Sequence, residues 1–295
     1  MNSYLNFFPM INVLRNNYLE SLHFGSGIVI GPKNDTLIEW GDVDKIIFPR
    51  SAMKIIQAIP LLDSGAANYY QLGSKQLAIA CSSHQGAPIH TKIIRSWLDE
   101  MDLSENDLKC GVQPPSDRSE RQKLKDYGES PSQLHNNCSG KHASFLTFVK
   151  HQKLSFEYND VKHSLQRTIR LVLEELTDEK IDKYGIDGCS APNFMCSLKG
   201  LGKAMHALTD GTKLGKVRSN SADAIFQAMQ THPLLVAGTG RACSELMMAA
   251  DPVTIVKTGS EGVFVAVVPQ KKIGVALKIV DGSTRAAEAA ITLIL

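Results

Sequence analysis

The feature that most constrains this chain is where its β-forming residues lie, concentrated at the two ends and sparse between them. Residues 22–31, LHFGSGIVIG, and the following TLIEWGD are apolar or alternating runs separated by the turn-forming stretch Gly31-Pro32-Lys33-Asn34-Asp35, the pattern of an antiparallel hairpin. At the other end, TIVKTG, VFVAVVPQ and KIGVALKIVDG are short β-rich runs divided by Gly and by a Gln-Lys-Lys turn, before Ser283 caps a closing helix. Between them the apolar period changes to helical over Ser51–Ser64, His90–Met101, Ser116–Tyr127, Lys141–Lys150, Asn159–Leu176 and Lys199–Leu208. Strands from both termini closing one sheet around a helical insertion give an α+β layout, an antiparallel sheet flanked by helices. The expected organisation is one domain over residues 1–295, with a sheet subdomain at about 1–80 and 235–295 and a mainly helical subdomain at about 85–230.

A chain of 295 residues that is 43% hydrophobic and 21% charged can bury a full core. Its formal charge of +2 gives no electrostatic reason to expect nucleic acid or an anionic membrane, so a small molecule is the expected partner. The six cysteines are scattered rather than densely spaced, which suits reduced thiols or metal ligands. The N-terminal segment has no basic n-region, and Asn6, Asn12 and Arg15 interrupt its apolar residues, so no secretory signal is expected. The longest apolar stretch, Ala289–Leu295, is far short of the ~20 residues that span a bilayer. A cytoplasmic location follows as the expectation.

Phe48-Pro49-Arg50-Ser51-Ala52-Met53-Lys54 places a serine at the mouth of an expected helix with a lysine one turn later. A serine hydroxyl needs a neighbour to take its proton, and a desolvated lysine can do so. Backbone N–H groups of the first helical turn can hold a developing oxyanion. This is the only Ser-x-x-Lys in the chain, and a single Lys257-Thr258-Gly259 ends an expected C-terminal strand. The pair matches two of the three motifs of serine β-lactamases and penicillin-binding proteins. The third, Ser-Asp-Asn, is absent; Ser104-Glu105-Asn106 reads instead as a helix cap with Asp107 in the capping-box position. Cys81-Ser82-Ser83-His84, after the apolar run Gln76–Ala80 taken as a strand, is the better second element. Ser83 then either faces Lys257 or is a buried loop serine bonded to backbone.

His135-Asn136-Asn137-Cys138-Ser139-Gly140-Lys141-His142 crowds thiol, imidazole and amine together, and Asp187-Gly188-Cys189 adds a second thiol beside a carboxylate. Two thiolates from separate loops, a nitrogen and an open position would suit a catalytic or substrate-binding zinc; two buried structural cysteines are the alternative. Ligand chemistry by itself favours His142 or His135 as the nitrogen, because a lysine must first lose a tightly held proton.

These blocks, together with Ala237-Gly-Thr-Gly-Arg241 and Lys257-Thr-Gly-Ser-Glu-Gly262, resemble the Rhizobium-type L-asparaginases of the asparaginase II family, in the same order and from about Arg15 to the end of the chain. The resemblance implies hydrolysis of L-asparagine to L-aspartate and ammonia on a serine β-lactamase-like fold, in a homodimer. It implies two Ser–Lys pairs, Ser51 with Lys54 and Ser83 with Lys257. It also implies a zinc held by Cys138, Lys141 and Cys189, with Asp187 beside it, that assists substrate binding; lysine thus replaces histidine as the nitrogen. An amino-acid substrate needs charged anchors, for which Arg50, Arg241 and Glu261 are candidates. The sequence departs from the family at Ala87, where an acidic residue is usual, and at Ser144, where glycine is more usual; family chains also tend to run further past the last helix. A glutaminase or other small-amide hydrolase, and a catalytically inactive zinc- or ligand-binding homologue, are the competing readings.

Overall fold

The computed structural model describes residues 7–251 and 253–295; residues 1–6, which the expected sheet subdomain includes, lie outside it. The chain opens with β1 (Phe8–Arg15), β2 (Tyr18–Ile30), β3 (Thr36–Trp40) and the short β4 (Ile46–Ile47). Helices follow: α1 (Lys54–Asp63), α2 (Ala66–Tyr69), α3 (Ser74–Ala80), α4 (Pro88–Asp99), α5 (Arg118–Asp126), α6 (Ser139–His151) and α7 (Ser164–Thr177). Short strands β5 (Tyr184–Ile186), β6 (Pro192–Phe194) and β7 (Cys196–Ser197) lead into α8 (Leu198–Ala207), α9 (Gly211–Thr231), α10 (Pro233–Val236) and α11 (Ala242–Ala249). Strands β8 (Ile255–Gly259), β9 (Val263–Val268) and β10 (Ile273–Ile279) and helix α12 (Thr284–Ile294) close the chain.

Both ends of the chain build one antiparallel sheet, in the order β1-β2-β10-β9-β8 with β3 also paired to β2. The pairing of β10 with β2 joins the two ends, with Ala276 opposite Ile28 and Val275 opposite Val29. Every residue of β9 is buried, and both α8 and α12 pack on that strand. A strand covered on both faces reads as a continuous apolar run, here Val-Phe-Val-Ala-Val-Val, rather than an alternation, and each fully buried valine contributes about 1.5–3 kcal/mol. On β8 the two-residue period places Ile255, Lys257 and Gly259 on one face. Ser283 caps α12 by accepting from the Ala286 N–H, and Ser104 caps a 3₁₀ turn with Asp107 bonded back to its N–H, both as the sequence implies.

Two elements differ from expectation. The run Gln76–Ala80 is the body of helix α3 rather than a strand. Five apolar residues carry no period that separates a buried strand from a buried helix. Here Leu77–Ala80 are buried, and the Gln76 side chain accepts from the Gly73 N–H at 3.2 Å to start the helix. The loop that follows, with Ser82 and Ser83, is where the sequence places it. Strand β1 was not anticipated. Its hairpin turn, Asn16-Asn17, has φ of 47° and 69°, the paired left-handed conformation that tight hairpins favour. Among the described residues no helix is long and apolar enough to cross a membrane.

Candidate active site

Two buried helices begin at the same place. Helix α1 is buried from Lys54 to Leu61, and α6 from Ser139 to Val149, so each is enclosed on all sides rather than along one stripe. A cavity of about 320 Å³ lies at their N-terminal ends, lined by Arg50, Ser51, Val112, Gln113, Asn136, Asn137, Cys138, Asp187, Gly188, Cys189 and Ser260. Two helix N-termini bring positive dipole ends, which favour anionic groups there.

Behind the cavity, Ser83 sits between two amines. Lys257 Nζ lies 2.8 Å from Ser83 Oγ and 2.9 Å from the Thr258 carbonyl oxygen. Lys54 Nζ lies 3.2 Å from the same Oγ, 2.5 Å from the Ser82 carbonyl oxygen and 3.3 Å from that of Asn137. Both lysines are 1% exposed. Burial pushes the Lys257 amine down to about 7; the neighbouring Lys54 and Arg241 act in the same direction and Cys243 against it. A drop of that size corresponds to on the order of 5 kcal/mol against the charged form.

The Ser51 hydroxyl is half-buried on the cavity wall, in a 3₁₀ turn spanning Arg50–Met53, and makes no hydrogen bond among the described residues. The Ser-x-x-Lys spacing thus brings Ser51 and Lys54 to the same region, yet the amine is hydrogen-bonded to Ser83 and two carbonyls rather than to Ser51. Gly259 explains the third residue of Lys-Thr-Gly: a Cβ there would stand 2.5 Å from the Pro49 carbonyl oxygen and 3.2 Å from the Ala52 nitrogen. Only glycine lets the end of β8 press against the Ser51 turn. A Cβ on Gly140 would similarly stand 2.3 Å from the Ile79 carbonyl oxygen, so the first turn of α6 packs directly on the end of α3.

Thiols line the opposite side. Cys138 precedes α6, its N–H donating to Asn136 Oδ1 at 2.9 Å, and Asn136 is anchored through Nδ2 to the Cys110 and Gly111 carbonyls. Cys189 sits in the turn between β5 and β6, where Asp187 N–H donates to the Ala191 carbonyl and Ser190 adopts φ of 65°. Lys141 Nζ is 3.0 Å from Cys189 Sγ. The hydrogen bond shared with Cys138 is the main cause that holds the Cys189 thiol well below its usual value, with Lys141 and His142 assisting against burial. The same bond, together with burial, raises Cys138. Burial opposes charge on Lys141, but Cys189 and Cys138 outweigh it and hold the amine above its usual value.

Arg50 and Asp187 are on the cavity wall as a pair, Nε to Oδ1 at 2.6 Å, and Asn193 Nδ2 donates to the other carboxylate oxygen at 2.8 Å. Arg50 has φ of 54°, a conformation that this pairing and its N–H bond to Asn193 Oδ1 hold in place. Arg241 and Glu261 do not line the cavity: Arg241 precedes α11, and Glu261 lies in the exposed turn after β8. Among the histidines weighed as ligands, His135 Nδ1 accepts from the Ser132 N–H and its ring lies 3.8 Å from Glu120. His142 Nδ1 is 3.0 Å from the Tyr158 hydroxyl, and its ring lies near the Cys189 thiol that it helps to lower. Among the described residues no three His, Cys, Asp or Glu side chains are grouped to hold a metal ion, so the thiol site is two cysteines and an amine. Sequence reasoning did not single out Gln113, Asn193 or Ser260. Ser260 adjoins Lys-Thr-Gly and was within reach of the motif, whereas Gln113 and Asn193 carry no local signal.

Residues 11–295 match the family model described as L-asparaginase II. No curated protein sequence matches the chain. Among solved structures it is similar to a proposed β-lactamase from Bacteroides dorei DSM 17855, at 11% identity over 92% of this chain and 93% of that one, with a TM-score of 0.47. It is also similar to a class C β-lactamase (13% identity, 92% of each chain, TM-score 0.46) and to the D-alanine carboxypeptidase AmpC from Burkholderia cenocepacia (12%, 92% and 93%, TM-score 0.45).

Because the Gly259 approach holds the Ser51 turn against β8, Gly259→Ala is expected to destabilise the fold by about 1–3 kcal/mol. It should also reduce whatever turnover the site supports. A melting curve and an amidase assay on the same preparation check this, and an unchanged Tm would remove the close approach from the account.

Proposed function

Since the chain belongs to the L-asparaginase II family, we propose that it is an amidohydrolase that cuts the side-chain amide of L-asparagine, with Ser51 as nucleophile and the Lys54–Ser83–Lys257 chain as its proton acceptor. The observation that carries this reading is the Ser83 hydroxyl held 2.8 Å and 3.2 Å from two buried amines, one of them lowered to about 7, directly behind a cavity walled by Ser51.

Ser51 suits attack because it lines the cavity and its hydroxyl has no hydrogen-bond partner among the described residues, whereas Ser83 is 6% exposed and engaged by both lysines. As the Ser51 oxygen adds to the amide carbon, its proton passes to Lys54, which lies one helical turn later in the chain and in the substrate-free site is bonded to Ser83 and two carbonyls rather than to Ser51. A proton of Lys54 moves through the Ser83 hydroxyl to Lys257, the amine that burial lowers to about 7, so that its neutral form is well populated near neutral pH. The positive dipole end of α1 stabilises the oxyanion. The stored proton returns to the leaving nitrogen, the C–N bond breaks and ammonia departs. Water then hydrolyses the aspartyl ester by the same route, restoring Ser51 and releasing aspartate.

The residues around the thiol pair fit zinc: two thiols within hydrogen-bonding reach of each other, an amine 3.0 Å from one of them, and open space on the cavity side. Cys138, Cys189 and Lys141 would hold it, and when bound it would supply a positively charged anchor for the substrate. Asp187, fixed by Arg50 and Asn193, presents a carboxylate on the same wall for the substrate ammonium. Arg50 serves by holding that carboxylate. A homodimer completes the proposal, favoured by the exposed apolar side chains Leu14, Tyr18 and Leu19 on the β1–β2 hairpin.

Ser51→Ala is expected to lower kcat for ammonia release from asparagine by at least about a thousandfold with Tm unchanged; retained turnover removes Ser51 as nucleophile. In parallel, glutamine should be the poorer substrate, and faster glutamine turnover would replace asparagine in the reading. Tight asparagine binding without ammonia release would instead favour an inactive homologue. Lys257 must be neutral to accept a proton, so kcat/KM should rise with pH through about 7 and level off above it. In Lys257→Met that limb should vanish along with most of the activity, and a profile falling through the same range would contradict the assignment. If the metal anchors substrate, Cys138→Ala should lower bound zinc measured by atomic absorption and raise KM more than it lowers kcat; the reverse split would give the metal a part in the chemistry.

A further inference from the structure

His84 follows Ser83 directly, is 1% exposed, and touches neither the cavity nor either lysine through a hydrogen bond. Its two ring nitrogens are nevertheless both engaged. Nδ1 accepts from the Gly86 N–H at 3.0 Å. A backbone N–H can only donate, so Nδ1 carries the lone pair and the neutral ring carries its proton on Nε2. Nε2 lies 2.9 Å from Ser139 Oγ, and Ser139 in turn donates to the Leu134 carbonyl oxygen at 2.9 Å. The polarity of the chain Gly86→His84→Ser139→Leu134 is therefore set at every link. Ser139 opens α6, between Cys138 and Lys141.

We propose that His84 is a positioning residue: a neutral buried imidazole that ties the Ser83 loop to the first turn of α6, so that Ser83 and its two amines are held at a fixed distance from the thiol pair. This rests on the reading of Ser83 as a link in the proton path.

The surroundings support a ring that stays uncharged. His90 stacks on it with centroids 4.9 Å apart and planes 12° apart, its own Nε2 directed at the Leu234 carbonyl at 3.0 Å. Burial is the main cause that disfavours a second proton on His84, and the neighbouring His90, Lys54 and His135 act in the same direction. Protonated His84 would also set an N–H against the Gly86 N–H, where φ is +73° and a Cβ would stand 2.8 Å from the His135 carbonyl oxygen.

The test is a double-mutant cycle on the full chain with His84→Asn, Ser139→Ala and both together, read as kcat, KM and pH profile on asparagine, with Tm on each. The expected result is a fall in kcat of about 10- to 100-fold for His84→Asn with KM within about threefold, a smaller fall for Ser139→Ala, and no further loss in the double variant. The limb near pH 7 should move upward by about one pH unit, because a loosened Ser83 lets water reach Lys257 and eases its desolvation. Additive losses, or an unmoved limb, would overturn the proposal. Should His84→Asn not fold, Ser139→Ala breaks the same bond from its other end by removing one hydroxyl. An activity-independent arm uses [15N]histidine-labelled protein. NMR should report His84 as a neutral Nε2–H ring that does not titrate between about pH 5.5 and 8.5, a range on either side of the ordinary imidazole value. A ring that titrates there, or carries its proton on Nδ1, would also overturn it. If the native chain releases no ammonia from asparagine, the functional reading fails while the NMR arm still decides the role of His84.

Discussion

The structure depends on the burial of two amines around one hydroxyl. Lys54 and Lys257 come from opposite ends of the chain, and Ser83 comes from between them, yet all three meet within hydrogen-bond distance in a place that water does not reach. A buried lysine costs several kcal/mol when charged, and proteins seldom retain one that serves packing alone. For Lys257 the cost appears as a lowered proton affinity, which is what a base working near neutral pH requires. Lys54 is held differently, with two carbonyl oxygens and the Ser83 hydroxyl around its amine. Unequal surroundings for two like side chains separate their roles along the proposed proton path.

The surrounding fold exists to bring those parts together. The sheet joins the two ends of the chain through β2 and β10, which places Lys257 on β8 beside the turn that starts α1. Buried helices α1 and α6 then deliver Ser51 and Cys138 to one cavity from their N-termini. Glycines at 259 and 140 remove the side chains that would hold these elements apart. Backbone proximity, rather than side-chain packing, sets the width of the site.

Much of this was legible in the residue pattern, because it was periodic or punctuated. The hairpin around Asn34, the three C-terminal strands and the Ser283 cap each carry a local signal with a local cause. Gln76–Ala80 failed because a short apolar run lacks a period, and β1 because its Asn16-Asn17 turn is a weaker marker than Asn-Gly. The candidate site was partly legible too. Ser51, Cys138, Asp187 and Cys189 all line one cavity, whereas Arg241 and Glu261, chosen for their charge, do not. Charge alone says nothing about direction.

By itself the sequence determined which chemical groups were at hand: one Ser-x-x-Lys, one Lys-Thr-Gly, a thiol on each of two loops, and strands enough at both ends to close a sheet. Residue type and short-range spacing suffice for that, since they act within a turn or a strand. Only the tertiary structure decided that Lys54 reaches Ser83 rather than Ser51, and that His84 is bonded to Ser139 across 55 positions. It also decided that Arg50 is committed to Asp187. Those partnerships join residues far apart in the chain, and they follow from which buried donors and acceptors must satisfy one another once water has been excluded.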